Sequence, residues 1–192
     1  MHEPLTHPKL IRDVLCRAIA QFNATDAKAL LKPGNGSGGP NEPAIGTQLI
    51  TRIVDALRHY DVPEYVFAIG TYNRFGDDRK FLYKMEAYRK EIEAAKRELD
   101  PEGKLAIFPD IIVHEFGAPG PNYLVVELKK DSNAGKALVE LDHIKLSCMT
   151  SPDRPLKYIL GAEVRAHDVA NEQKRQLEVL SWWQQGSKVG EP

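Results

Sequence analysis

The sequence predicts a single mixed α/β domain, residues 1–192, in which a sheet is flanked by helices. Three observations carry this. Long segments place apolar residues at helical spacing, and short runs rich in Val, Ile and aromatic residues lie between them. Only one long Gly/Pro-rich stretch interrupts the chain, and no internal repeat or second change of composition marks another domain. A chain of 192 residues is also long enough to bury a real core.

The elements follow in order. Residues 8–31 carry Leu10, Val14, Leu15, Ala18, Ile19 and Phe22 on one face, predicting an N-terminal helix with a break near Asn23-Ala24-Thr25. Residues 32–42 read as a flexible Gly/Pro linker. They contain Gly34-x-Gly36-x-x-Gly39, but a helix precedes this spacing, Pro40 closes it and no GK[ST] follows, so a plain linker is expected. The second helix, 43–60, has Pro43 in its first turn and a stripe of Ile45, Leu49, Ile53 and Leu57. A strand over 64–72 comes next. Residues 77–99 then predict an inserted helix with Met85, Tyr88, Ile92, Ala95 and Leu99 spaced three and four apart, a stripe that packs on the parent domain or forms a dimer seam. Strands over 105–115 and 122–130 flank the turn-rich "GAPGPN". A helix over 133–149, a strand over 156–164 and a C-terminal helix over 168–185, docked by Trp182-Trp183, complete the chain.

Composition narrows the function. With 42% hydrophobic and 28% charged residues the chain reads as globular, and no apolar run approaches the roughly 18 residues needed to cross a membrane. The start lacks the apolar core of a signal peptide, and two distant cysteines, Cys16 and Cys148, form no CxxC pair. A cytoplasmic setting without a disulfide framework or zinc site is therefore expected. A formal net charge of −1 gives no bulk attraction for nucleic acid, so any such contact would need a local basic face, a small footprint or a second subunit.

The stretch "FPDIIVHEFGAPGPNYLVVELKK", 108–130, sets charges into strand-like text. Alternation puts Glu127 and Lys129 on one face and Val126 and Leu128 on the other. A hairpin folds Asp110 back beside Glu127, and cross-strand neighbours lie about 4.5–5.5 Å apart, close enough to share a divalent cation. An ExK tripeptide alone is weak evidence, and taken by itself it is better explained by a solvated strand edge. The preceding Pro-Asp, the hairpin and the element order shift the balance toward a site.

Pro109-Asp110 followed by Glu127-Leu128-Lys129 resembles the PD-(D/E)XK nuclease superfamily, the restriction-endonuclease-like fold. The αβββαβ order of that core matches residues 43–164, with 77–99 as an insertion. The resemblance implies a Mg²⁺-dependent nuclease hydrolysing phosphodiester bonds, with DNA the expected polymer and Mn²⁺ an acceptable substitute. It implies Asp110, Glu127 and Lys129 as catalytic residues, with the metal on Asp110, Glu127 and the Leu128 carbonyl. Family members often carry a further glutamate near the start of the first core helix, and Glu42 is the best match; an acid beside Pro43 is equally a good helix start. Lys145 and Arg74 stand where the family places residues that touch substrate phosphate, although either could simply face solvent. The alternative is a catalytically silent binding or assembly module of the same fold, such as one subunit of a defence or repair complex, or a homodimer. His114, about 13 Å along the strand from Asp110, is too far for the same ion, and His143 has no HxxxH or HExxH partner.

Overall fold

The computed structural model describes residues 5–32, 42–70, 80–115, 121–133 and 135–190. Helix α1 (Pro8–Thr25) buries Ile11, Val14, Leu15, Ala18, Ile19 and Phe22. It ends at Asp26, where a short α2 (Ala27–Leu30) begins, so the break lies close to its expected place. Most of the linker, 33–41, including Gly34, Gly36 and Gly39, lies outside the described residues. Helix α3 (Glu42–His59) buries Ile45, Leu49 and Ile53 as its stripe requires.

The main sheet contains β1 (Val66–Gly70), β4 (Ile111–Glu115), β5 (Asn122–Lys130), β6 (Leu160–His167), β7 (Gln176–Gln184) and β8 (Ser187–Val189), in that spatial order. All neighbouring pairs are antiparallel except β5 and β6. That parallel pair requires a crossover, and helix α5 (Lys136–Thr150) supplies it. Strand β5 is buried on both faces. Leu124, Val126 and Leu128 join the core built with α1 and α3, while Val125 joins a second core with Leu141, Leu146 and Met149 of α5. Val125, Glu127 and Lys129 therefore share the α5 face, as alternation demands.

Three expectations are corrected. The expected helix over 168–185 is a 3₁₀ turn at Glu172–Lys174 followed by the hairpin β7–β8. Glu163 pairs with Ser181 and Val164 with Val179, which leaves Leu180 as an extra residue in the β6–β7 ladder. This bulge breaks the period of two, so the apolar positions lose the alternation that would have marked a strand. The hairpin closes through Gln185 and Gly186 at φ 51° and 78°, the left-handed pair that a two-residue turn needs. Trp182 thus sits on a strand, under α1 rather than on a helix, with the Arg12 guanidinium 5.3 Å from its ring centroid.

The expected inserted helix over 77–99 is also shorter than its stripe suggests. Its described part runs through β2 (Lys80–Leu82), a 3₁₀ turn and the six-residue α4 (Arg89–Ala94). Pairing of β2 with β3 (Leu105–Ile107) and positive φ at Lys84 and Lys96 stop a continuous helix. Met85, Ile92 and Ala95 are nonetheless buried in the second core, so the stripe packs within the chain. The third correction concerns the expected strand 105–115, which is divided at Phe108-Pro109-Asp110. Pro109 has no N–H for a ladder, so β3 stays with β2 and β4 starts afresh in the main sheet after Asp110. The expected strand over 156–164 lies a few residues later, at Leu160–His167. Cys16 and Cys148 are both free, and among the described residues no helix is long and apolar enough to cross a membrane.

Candidate active site

The site is assembled where β4 and β5 emerge beneath α5. Ile111 pairs with Val126, so Asp110 and Glu127 are the next residues across that antiparallel ladder. Asp110 Oδ2 accepts a 2.7 Å hydrogen bond from the Leu128 amide, which ties its carboxylate to β5. Glu127 is 1% exposed. Its Oε2 accepts from Lys145 Nζ at 2.7 Å, while its Oε1, also buried, has no hydrogen-bond partner among the described residues. Lys129, two positions along the same strand face, reaches Asp142 Oδ2 at 3.1 Å. Asp142 Oδ1 in turn lies 2.7 Å from Lys145 Nζ. These groups border a cavity of about 600 Å³, whose outer wall includes Phe108, Leu138 and Arg97.

Glu42 borders the same cavity from the first turn of α3. Its Oε1 accepts from the Lys130 amide at 3.0 Å, so its carboxylate crosses to the C-terminal end of β5. Lys145, expected as a phosphate contact, is drawn into the acid cluster. Arg74 lies outside the described residues. His114 packs against the Phe67 ring at 4.9 Å between centroids and does not border the cavity.

Burial sets the electrostatics. It pushes the Asp110 carboxyl up, against the Leu128 amide, Lys129 and Lys145, which pull it down. It pushes Glu127 well above the usual carboxylate range; Asp142 and Asp110 push the same way and Lys145 opposes them. For Lys129, burial works against the charge but is outweighed by Asp142, Glu42 and Asp110, and the ammonium is held above its ordinary range. Lys145 is likewise raised, its burial overcome by Glu127 and Asp142. Asp110, Glu127 and Asp142 thus share the Lys129 and Lys145 ammoniums, with Glu42 also acting on Lys129, and when all are ionised these acids outnumber the two lysines.

Among the described residues no group of three or more His, Cys, Asp or Glu side chains is arranged to hold a metal. The donor set still fits a hard cation. Mg²⁺ is commonly held by one or two carboxylates, with waters and substrate phosphate completing six oxygens. Adjacent Asp110 and Glu127, the unpartnered Glu127 Oε1 and the charge deficit meet that requirement. A structural zinc site, which needs four Cys or His ligands, does not fit.

Two buried acids escaped sequence reasoning. Asp142 could have been found, since it lies three residues before Lys145 and both fall on one helix face. Glu163 could not, because only the parallel register sets it beside Glu127. Its Oε2 is 2.8 Å from His143 Nε2 and accepts from Ser181 Oγ at 2.9 Å; its Oε1 is 3.1 Å from Arg165. Burial raises its pKa, yet the bonds from His143, Ser181 and Arg165 win and hold it at about 2. Adjacent buried glutamates are therefore pushed in opposite directions, and Glu163 is the satisfied, structural one.

The consequence is testable. The folded-state pKa of Glu163 lies below its ordinary value of 4.5, so its contribution is complete above pH 4.5 and fades as pH falls toward about 2. Glu163→Gln is expected to lose about 2–3 kcal/mol at pH 7. The gap from wild type should shrink below pH 4.5 when urea unfolding is followed down the pH scale. A gap independent of pH would show that the charge of Glu163 contributes nothing.

No family model matches the chain, and no curated protein matches it either.

Proposed function

We propose that this chain is a Mg²⁺-dependent nuclease of the PD-(D/E)XK type, hydrolysing phosphodiester bonds in nucleic acid, DNA being the expected substrate. The observation that carries the proposal is the convergence of Asp110, Glu127 and Lys129 on one cavity, with Glu127 Oε1 buried and, among the described residues, without a hydrogen-bond partner. Asp110 and Glu127 would hold the cation, with the Leu128 carbonyl and Glu42 as further protein oxygens. When bound, Mg²⁺ supplies Lewis-acid polarisation of the phosphate and acidifies a water.

The chain's own residues do the rest. The Leu128 amide fixes the orientation of Asp110 before substrate arrives. Lys129, held charged by its acidic neighbours, orients the attacking water and stabilises charge on the phosphate oxygens. Lys145 would contact the substrate phosphate, with Asp142 Oδ1 2.7 Å from its ammonium. Arg74 remains a candidate phosphate contact on sequence grounds. Glu127 and Asp142 are buried, and low local polarity strengthens the interactions they make.

Cleavage of labelled single- and double-stranded DNA and RNA with Mg²⁺ or Mn²⁺ tests the proposal, comparing wild type with Asp110→Ala and Lys129→Ala. Wild type is expected to cut, Asp110→Ala to fail, and Lys129→Ala to keep a residual rate about a hundredfold or more below wild type. Equal activity in all three would refute the assignment.

A second reading has its own observation. The Lys145–Glu127 and Lys145–Asp142 contacts are short and well buried, as expected of a charge cluster kept only for structure. A silent module of the same fold, acting in binding or assembly, would show neither cleavage nor divalent-ion binding.

A further inference from the structure

Asp142 is 4% exposed and lies on α5, outside the strand pair that carries the Asp-Glu-Lys set. Its two oxygens go to two different ammoniums, Oδ1 to Lys145 at 2.7 Å and Oδ2 to Lys129 at 3.1 Å. Both lysines border the cavity. A lysine head on a four-carbon stem has about 2 kcal/mol of rotamer freedom and no fixed donor plane, so strand position alone cannot aim it. Lys129 is 16% exposed at its side chain, and among the described residues Asp142 is the acid in ion-pair contact with it.

We infer that Asp142 is a positioning residue: from α5 it anchors the Lys129 ammonium over the Asp110–Glu127 pair and holds Lys145 against Glu127. The kinetic consequence rests on the nuclease reading, whereas the anchoring itself does not. The two ammoniums carry six N–H donors between them, and with one contact from Lys129 to Asp142 donors on Lys129 are left to meet a water or a phosphate oxygen. The helix spacing also matters. Asp142 and Lys145 are three apart on one face, so α5 presents anchor and second lysine together above β5.

Two measurements on the full chain test this. Lysine reactivity toward a small acylating reagent, followed by mass spectrometry, reads the anchoring directly. Asp142→Asn, nearly isosteric, is expected to raise Lys129 labelling about threefold or more at pH 7.5, and Asp142→Glu, which restores the charge, to bring it back toward wild type. Unchanged Lys129 labelling in Asp142→Asn would overturn the inference, whatever the cleavage assays give. The second measurement is a double-mutant cycle in steady-state cleavage. Asp142→Asn is expected to lower kcat by about 30- to 100-fold, with KM and calorimetric Mn²⁺ affinity within about threefold of wild type. In a Lys129→Ala background it should cost nothing further. Full additivity would mean that Asp142 does not act through Lys129. A wild-type protein that binds Mn²⁺ but cuts no nucleic acid would count against the nuclease reading, and the labelling result alone would then decide the role of Asp142.

Discussion

Glu127→Gln is expected to abolish cleavage and, at the same time, to stabilise the protein. On the proposed nuclease reading, loss of a carboxylate that holds the metal removes several kcal/mol of transition-state stabilisation, about a thousandfold or more in kcat. The stability effect has the opposite sign because Glu127 is buried and its carboxyl is pushed well above its ordinary value. An acid with a raised folded-state pKa contributes fully below its unfolded value of 4.5, and loses that contribution as pH rises through the folded pKa. Near neutral pH the wild type therefore carries the cost, and glutamine does not. Lys145 is not orphaned in the variant, since Asp142 remains 2.7 Å from it. A gain of about 1 kcal/mol is expected, or about 2–4 °C in Tm for a chain of this size, larger at pH 8 than at pH 5. Thermal unfolding across that range, without added metal, checks it. A variant less stable than wild type at pH 8 would show that the Glu127–Lys145 pair is net stabilising, and would favour the silent, structural reading.

Trp182→Ala is expected to be the most damaging single truncation. Trp182 is 2% exposed and is among the largest fully buried side chains. It pairs across the ladder with Ala162 and packs beneath α1, where Arg12 lies over its ring. Removing a buried tryptophan costs about 3–5 kcal/mol, a large share of the roughly 5–15 kcal/mol that holds a domain folded. A fall of about 10–15 °C in Tm is expected. Trp183 makes a useful comparison. It belongs to the opposite core, is 9% exposed, and donates from Nε1 to Ser181 Oγ at 3.0 Å, so Trp183→Phe should cost less, about 1–2 kcal/mol. Equal small losses for the two would contradict a strand that sends them to opposite faces.

Much of this was legible in the residue order. The α1 and α3 stripes bury the positions their spacing selects. The sharing of a face by Glu127 and Lys129 follows from pleat geometry, and the chain obeys it. Pro109 dictates a break, although the sequence reading ran one strand through it; the break sets Asp110 immediately before β4. The failures have physical causes. The stripe over 77–99 was true as a burial pattern and false as a helix, because strand pairing with β3 took part of the segment. The bulge at Leu180 disguised β7, and the two left-handed residues that close its hairpin carry only a weak signature in "QG".

The sequence by itself determined which residues face one another locally: apolar stripes on helices, the parity of charges on β5, and the acid that follows Pro109. These depend on the helical and strand periods, which neighbouring residues impose. The tertiary structure alone decided which distant charges meet. The parallel register of β5 and β6 brings Glu163 beside Glu127, and the crossover of α5 lowers Asp142 and Lys145 onto the same cavity. Such contacts arise from where a helix lands on a sheet. No local period encodes that, and the protonation of a buried carboxylate depends on it, because its charge is governed by the partners that arrive with the helix.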